Sequence, residues 1–147
     1  MDQTYTERND ASRDRLQAFA RSLDETTLQR QLNDDWTIAA ALAHVAFWDQ
    51  LCLARWMAAE AGGALDDVSD EIAELVNQAS LPGWRALPAQ TAAALLIRAT
   101  DDVDAAIAAL PAALVRRAQS EGNDYMLDRS DHRDEHAAEI ERALGEA

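Results

Sequence analysis

Three histidines occur in this 147-residue chain: His44, His132 and His136. The last two stand four apart in DHRDEHAAEI. On a helix, positions i and i+4 share one face with Cβ atoms about 6 Å apart, so two imidazoles can reach one ion. The row 132, 136, 140, 143 reads His, His, Ile, Ala, which turns the pair towards the stripe that Ile140 sends inward. Arg129, Arg133, Asp134 and Glu141 fall largely elsewhere on the helix and are expected to face water. Inward histidines need polar partners or a metal, because an unpaired buried imidazole nitrogen is costly. The bland alternative is a solvated, charged helix end. His44 lies between Ala43 and Val45 in the most apolar part of the chain, where a satisfied core histidine is the ordinary reading. One site drawing on two facing helices accounts for all three together. Three such ligands leave a coordination position open, as catalytic metal sites do.

The elements that must position these residues are helices. Leu16, Phe19, Ala20 and Leu23 recur at i, i+3, i+4 and i+7 and predict a helix over about Thr6 to Leu23. The polar DETTLQRQLNDDW is expected to be a loop with a short helical turn. A second helix begins near the N-cap candidate Thr37 and ends at Gly62-Gly63. Its body, IAAALAHVAFWDQLCLARWMAAE, is apolar nearly all round, so it should be central or shared with a partner chain. VSDEIAELVNQ predicts a short helix, and LPGWRALP a turn-rich connection. A third helix fits about Ala89 to Leu110, with Leu96, Ala99, Val103, Ala106 and Leu110 as a bundle seam. PAALVRRAQSEGNDYML is ambiguous, with a turn at Gly122-Asn123, and a fourth helix covers about Asp128 to Leu144. The fold class expected is all-α: a four-helix bundle with one or two extra short helices, as a single domain over residues 1–147.

Composition narrows the function classes. Thirteen basic residues against 27 acidic ones give a net charge of −14. A nucleic-acid binder needs a basic face, and an anionic membrane surface needs the same, so neither partner is expected. Cys52 is the single cysteine, which excludes an internal disulfide and fits a reducing compartment. With no apolar run long enough to span a bilayer and no signal-peptide core at MDQTYTERND, the expectation is a soluble cytoplasmic protein.

The stretch WTIAAALAHVAFWD, residues 36–49, resembles the W-[ST]-x-x-x-x-L-x-H-x-x-x-W-[DE] pattern of the DinB/YfiT-like superfamily. HRDEHAAEI resembles that superfamily's C-terminal H-x3-H-x-x-x-I helix. The resemblance covers essentially the whole chain and is nearest to the N-terminal domain of mycothiol-dependent maleylpyruvate isomerases. It implies a four-helix bundle, often dimeric, whose divalent metal is held by positions that match His44, His132 and His136.

Neutral imidazoles leave a divalent ion its full charge, so it can acidify a bound water or a bound thiol. The resemblance favours the thiol route: an S-transferase or isomerase acting on small electrophiles with mycothiol or another low-molecular-weight thiol. A metal-hydroxide hydrolase on the same site and a non-catalytic, stress-related dimeric bundle are the alternatives. Zinc is the first metal expected, with nickel or iron also suited to three imidazoles. A small-molecule substrate and a homodimer complete the expected partners. Around the histidines, Trp48 could wall a pocket, although core packing is its ordinary role. Arg55 could hold a carboxylate, against a surface ion pair. Asp128 could be a ligand, a carboxylate behind one, or the cap of the last helix, the cap being favoured. Asn77 and Trp84 fall in a connection where substrate contacts occur, Glu135 and Glu139 are expected to be solvated, and Cys52 reads as a buried packing thiol.

Overall fold

The computed structural model describes residues 4–145. Seven α-helices and one 3-10 turn make up the described chain, and no strand occurs among the described residues. They are α1 (Tyr5–Ser22), α2 (Glu25–Leu28), α3 (Ile38–Glu60), α4 (Asp70–Ala86), α5 (Ala89–Ala108), α6 (Ala112–Ser120), η1 (Asp124–Met126) and α7 (Ser130–Gly145). The bundle is built by α1, α3, α5 and α7: α1 and α3 each pack against both α5 and α7. This is the all-α architecture that the periodicity implied, with α2, α4, α6 and η1 added to it.

Local chemistry explains the helix ends. Thr37 caps α3 as expected, its side chain accepting from the backbone N–H of Ala40 at 3.0 Å. Gly62, at φ +97°, takes the left-handed turn that ends α3, and Gly122, at φ +76°, does the same after α6. Thirteen residues of α3 are buried, so its all-round apolar surface reflects a central position.

Residues 81–88 depart from expectation. LPGWRALP is not a turn-rich connection; α4 runs unbroken for 17 residues with Pro82 inside it. Pro82 removes one backbone donor but lies exposed, so water can satisfy the carbonyl it abandons. Trp84, 8% exposed, anchors the final turn in the core, with Leu81 and Leu87 beside it. Tertiary packing therefore carries the helix through a local break.

The core divides in two. One apolar cluster gathers Leu16, Ile38, Leu42, Leu96, Ala137 and Ile140, and the other Tyr5, Trp56, Val103, Ile107 and Met126. Between them along the helices lies a belt of buried polar side chains: Asn9 and Ser12 on α1, Asp49 on α3, Thr100 and Asp104 on α5, and Arg133 on α7. Arg129, directly before α7, joins it.

Arg133 and Arg129 thus correct the expectation that they face water; they are 0% and 7% exposed. Arg133 bonds Asp49 through Nε and Nη2 at 3.0 and 2.8 Å, and Asp104 through Nη2 and Nη1 at 2.7 and 3.0 Å. Its Nη1 also donates to the carbonyl of Asn9 at 3.1 Å. Arg129 Nε reaches the other oxygen of Asp49 at 2.9 Å. Burial works against these charges, but Asp49 and Asp104 raise the Arg133 pKa above its ordinary value. The sequence row 133, 137, 140, 144 (Arg, Ala, Ile, Leu) is as inward as the histidine row, because α1 and α3 cover α7 from two sides. Asp134 and Glu141 do sit outside, paired with Arg15 at 3.1 and 2.8 Å.

Candidate metal centre

Helix α3 presents His44 one turn before Asp49, and α7 presents His132 and His136 on either side of Arg133. The belt therefore fixes the register in which the histidines meet. His44 Nε2 lies 2.9 Å from His132 Nε2, and His136 Nε2 lies 3.2 Å from the same atom. Nitrogens bound to one ion at about 2.1 Å stand roughly 3.0–3.4 Å apart, so these spacings suit a shared cation. The three form a group able to hold a metal ion, with ligand atoms all within 4.8 Å of one another.

A second observation fits the same cation. The Nδ1 atoms of all three histidines are buried and have no hydrogen-bond partner. With Nδ1 as the protonated nitrogen, each Nε2 offers a lone pair, and three lone pairs aimed together repel unless a positive charge lies between them. Burial pushes the His44 pKa down to about 3, helped by neighbouring His136. Burial, then His136 and His44, push His132 down to about 2. Both are neutral at pH 7, the form that donates to metals. The carboxylate of Glu139, partly buried rather than solvated, lies 3.6 Å from His136 Nδ1.

Aromatic rings wall the cluster. Trp36 and Trp84 each meet His44 edge-on, with centroids 5.2 and 5.3 Å away. The histidines open onto a cavity of about 770 Å³ between α3, α4, η1 and the start of α7. Trp48 is half-buried in its wall instead of packing in the core, and donates from Nε1 to Asn77 Oδ1 at 2.8 Å. Asn77 is thereby held beside the site from α4, and Trp84 serves as a packing wall.

Arg55 also lines this cavity and forms no surface ion pair among the described residues. It donates to Tyr125 Oη at 2.8 Å and to the carbonyl of Asp66, and lies over the Tyr125 ring. Asp128 stands two residues before α7, accepts from the Ser130 N–H at 3.0 Å, and pairs with Arg8 at 2.7 Å. It is a turn-former at the helix entrance, and it faces the cavity rim. Glu135 is exposed on that rim. Cys52 is 4% exposed, donates to the Met126 carbonyl, and burial raises its pKa to about 11, so it is an inert packing thiol.

Sequence reasoning missed Asp49 and Tyr125. Asp49 had a signal: it is the only acid in α3 before Glu60, and a lone carboxylate in so apolar a helix demands a buried partner. Tyr125 had none, because its place follows from how η1 closes the cavity.

Residues 8–143 match the DinB superfamily, and the chain belongs to it. Comparison with curated proteins and with solved structures returns no match. No described helix is long and apolar enough to cross a membrane.

Proposed function

We propose that His44, His132 and His136 bind one divalent metal, zinc before nickel or iron, and that the protein is a low-molecular-weight-thiol-dependent S-transferase or isomerase acting on small electrophiles. The observation that carries this reading is the convergence of three histidine Nε2 atoms at the floor of a cavity large enough for a substrate. A divalent ion there supplies Lewis acidity, making a thiol acidic near neutral pH. The chain's own residues do the rest. Burial keeps His44 and His132 unprotonated and therefore able to donate. The indoles of Trp36 and Trp84 exclude water from behind His44, and the Trp48–Asn77 hydrogen bond joins α4 to α3 across the cavity wall. The thiol part of the reading rests on the resemblance to mycothiol-dependent isomerase domains, and mycothiol is the first thiol to test. The same reading takes the chain as a cytoplasmic homodimer; exposed Ile72 and Leu75 on α4 offer an apolar face for it.

Elemental analysis of purified protein, followed by turnover of an electrophile panel with and without added thiol, tests the proposal. About one metal per chain, and turnover that requires thiol, are expected. No metal after incubation with zinc, nickel and iron salts would overturn it, and turnover indifferent to thiol would move the assignment to hydrolysis.

A further inference from the structure

Two guanidiniums face the cavity beside the histidines, and they are satisfied in different ways. Arg129 is buried and pairs with Asp49 at 2.9 Å. Arg55 is half-buried and pairs with no carboxylate among the described residues; both of its partners are neutral oxygens. Its Nη1 donates to Tyr125 Oη at 2.8 Å, its Nη2 donates to the carbonyl of Asp66, and its Cζ lies 5.7 Å from the Tyr125 ring centroid. These bonds engage two of the five N–H groups that a guanidinium carries. They hold the fork in place and leave its charge unspent.

Tyr125 explains why the nearest acid does not neutralise Arg55. The phenol donates to Asp67 Oδ1 at 2.5 Å, so it stands between that carboxylate and the guanidinium. Burial and the bond to Asp67 hold its pKa above the ordinary 10, so it stays neutral at pH 7. Arg55 follows His44 by eleven residues on α3. At 100° and 1.5 Å per residue that returns it to within about 20° of the same face, about 16 Å further along the axis. Both residues line the cavity, which therefore has metal-binding nitrogens at one end and an unneutralised cation at the other. Its remaining charges are the carboxylates of Asp67, Asp70, Asp124, Asp128, Asp131 and Glu135. Asp128 is paired with Arg8, and the other five are exposed. An exposed carboxylate about 9 Å from a ligand anion lowers its affinity about twofold in water, and salt screens it beyond about 8 Å. A charge-assisted hydrogen bond raises affinity about tenfold or more, and the fork of a guanidinium can offer two.

We propose that Arg55 is the specificity residue of this cavity, binding the carboxylate of a small electrophile whose reacting end lies at the histidines. The proposal rests on the cavity being the substrate site named above, and it deepens that reading by naming the group that the far end of the substrate carries. Tyr125 and the Asp66 carbonyl are positioning groups here: they hold the guanidinium without cancelling it. An amide of the same size has no charge to bring to Arg55 and is the ligand that the cavity discriminates against.

Metal-free protein makes the test independent of metal and thiol chemistry. Binding of 4-phenylbutanoate and of 4-phenylbutanamide is measured by NMR titration at pH 7. The acid is expected to bind at least about fivefold more tightly than the amide. In Arg55→Gln that preference should shrink to within about twofold. Tyr125→Phe removes the hydroxyl that holds Arg55 but spares the guanidinium, and should keep most of the preference. Arg98→Gln makes the same charge change at an exposed position of α5 and should leave the preference within a factor of two. Equal binding of the two probes, or tighter binding of the amide, would overturn the proposal. So would a loss in Tyr125→Phe or Arg98→Gln as large as in Arg55→Gln, which would mean a distorted cavity or diffuse charge. Absence of metal in the loading experiment, with the carboxylate preference intact, would overturn the thiol reading and leave Arg55 as an anion site. Metal and thiol-dependent turnover without that preference would do the opposite.

Discussion

His132 and Arg133 are adjacent on α7, yet they belong to two polar regions built on opposite terms. Around Arg133 every charge meets an opposite one: Asp49 and Asp104 grip its guanidinium, Arg129 takes the other oxygen of Asp49, and Arg13 shares Asp104 Oδ2. Around His132 the Nε2 atoms crowd against each other, no Nδ1 has a hydrogen-bond partner, and the one carboxylate nearby among the described residues is Glu139, 3.6 Å from His136 Nδ1. Both regions are buried, so both lost water on folding. One region recovers that loss from within the chain, and the other leaves three Nδ1 atoms without a hydrogen bond. A closed network fixes helices in register; on the reading proposed above, the unfinished one is completed by a metal ion.

Arg133→Ala should have the largest effect, because it takes from buried Asp49 and Asp104 the guanidinium they share and leaves two carboxylates with only Arg129 and Arg13. A loss of about 3–5 kcal/mol in denaturant unfolding is expected. A loss below about 1 kcal/mol would erase the distinction between the regions. His44→Ala should do the reverse: helicity retained by circular dichroism, but metal content reduced from about one per chain to none. Retained metal would break the comparison from the other side.

Acid sharpens it next. In the metal-free protein His44 and His132 titrate near 3 and 2, below their ordinary 6.5, so the folded chain holds fewer protons than the unfolded one between those values. Stability must therefore be fully present above pH 6.5 and fall as pH drops towards 3. His44→Ala should flatten that fall in thermal melts recorded across the range. Glu139→Gln removes the carboxylate behind His136 and should weaken metal binding about tenfold or less, read by competition with a chelator. Trp48→Phe, which deletes the indole donor to Asn77, is the smallest change, costing about 1 kcal/mol in thermal or denaturant unfolding.

The helices of the bundle were legible because each buries a stripe that repeats with the helical period: Leu16 and Ala20 on α1, Leu96, Val103 and Ile107 on α5. The convergence of the histidines was legible because His132 and His136 share Ile140's row and His44 sits where polar groups are rare. What was hidden depended on neighbours distant in sequence. α4 continues past Pro82 because Trp84 reaches the core, and no local pattern states that. The burial of Arg133 needs Asp49 and Asp104, 84 and 29 residues away. The acidic rim of the cavity was also invisible, because Asp67 and Asp70 come from one stretch of chain and Asp124, Asp128, Asp131 and Glu135 from another, and they become one surface only when α4 and η1 close over α3.

The histidines are joined across 88 residues, and the Asp49–Arg133 pair across 84. Both clusters therefore close the same long loop, and that closure must be made before either contributes anything. During synthesis α1, α3 and α5 emerge before α7, so a growing chain exposes Asp49 without Arg129 and Arg133, and Asp104 with Arg13 but without Arg133. It also carries His44 without its companions. An ion added at that stage finds a single imidazole and has little reason to stay. Metal uptake would thus report that the last helix has docked, and it would slow the unfolding of a finished molecule far more than it speeds the folding of a new one.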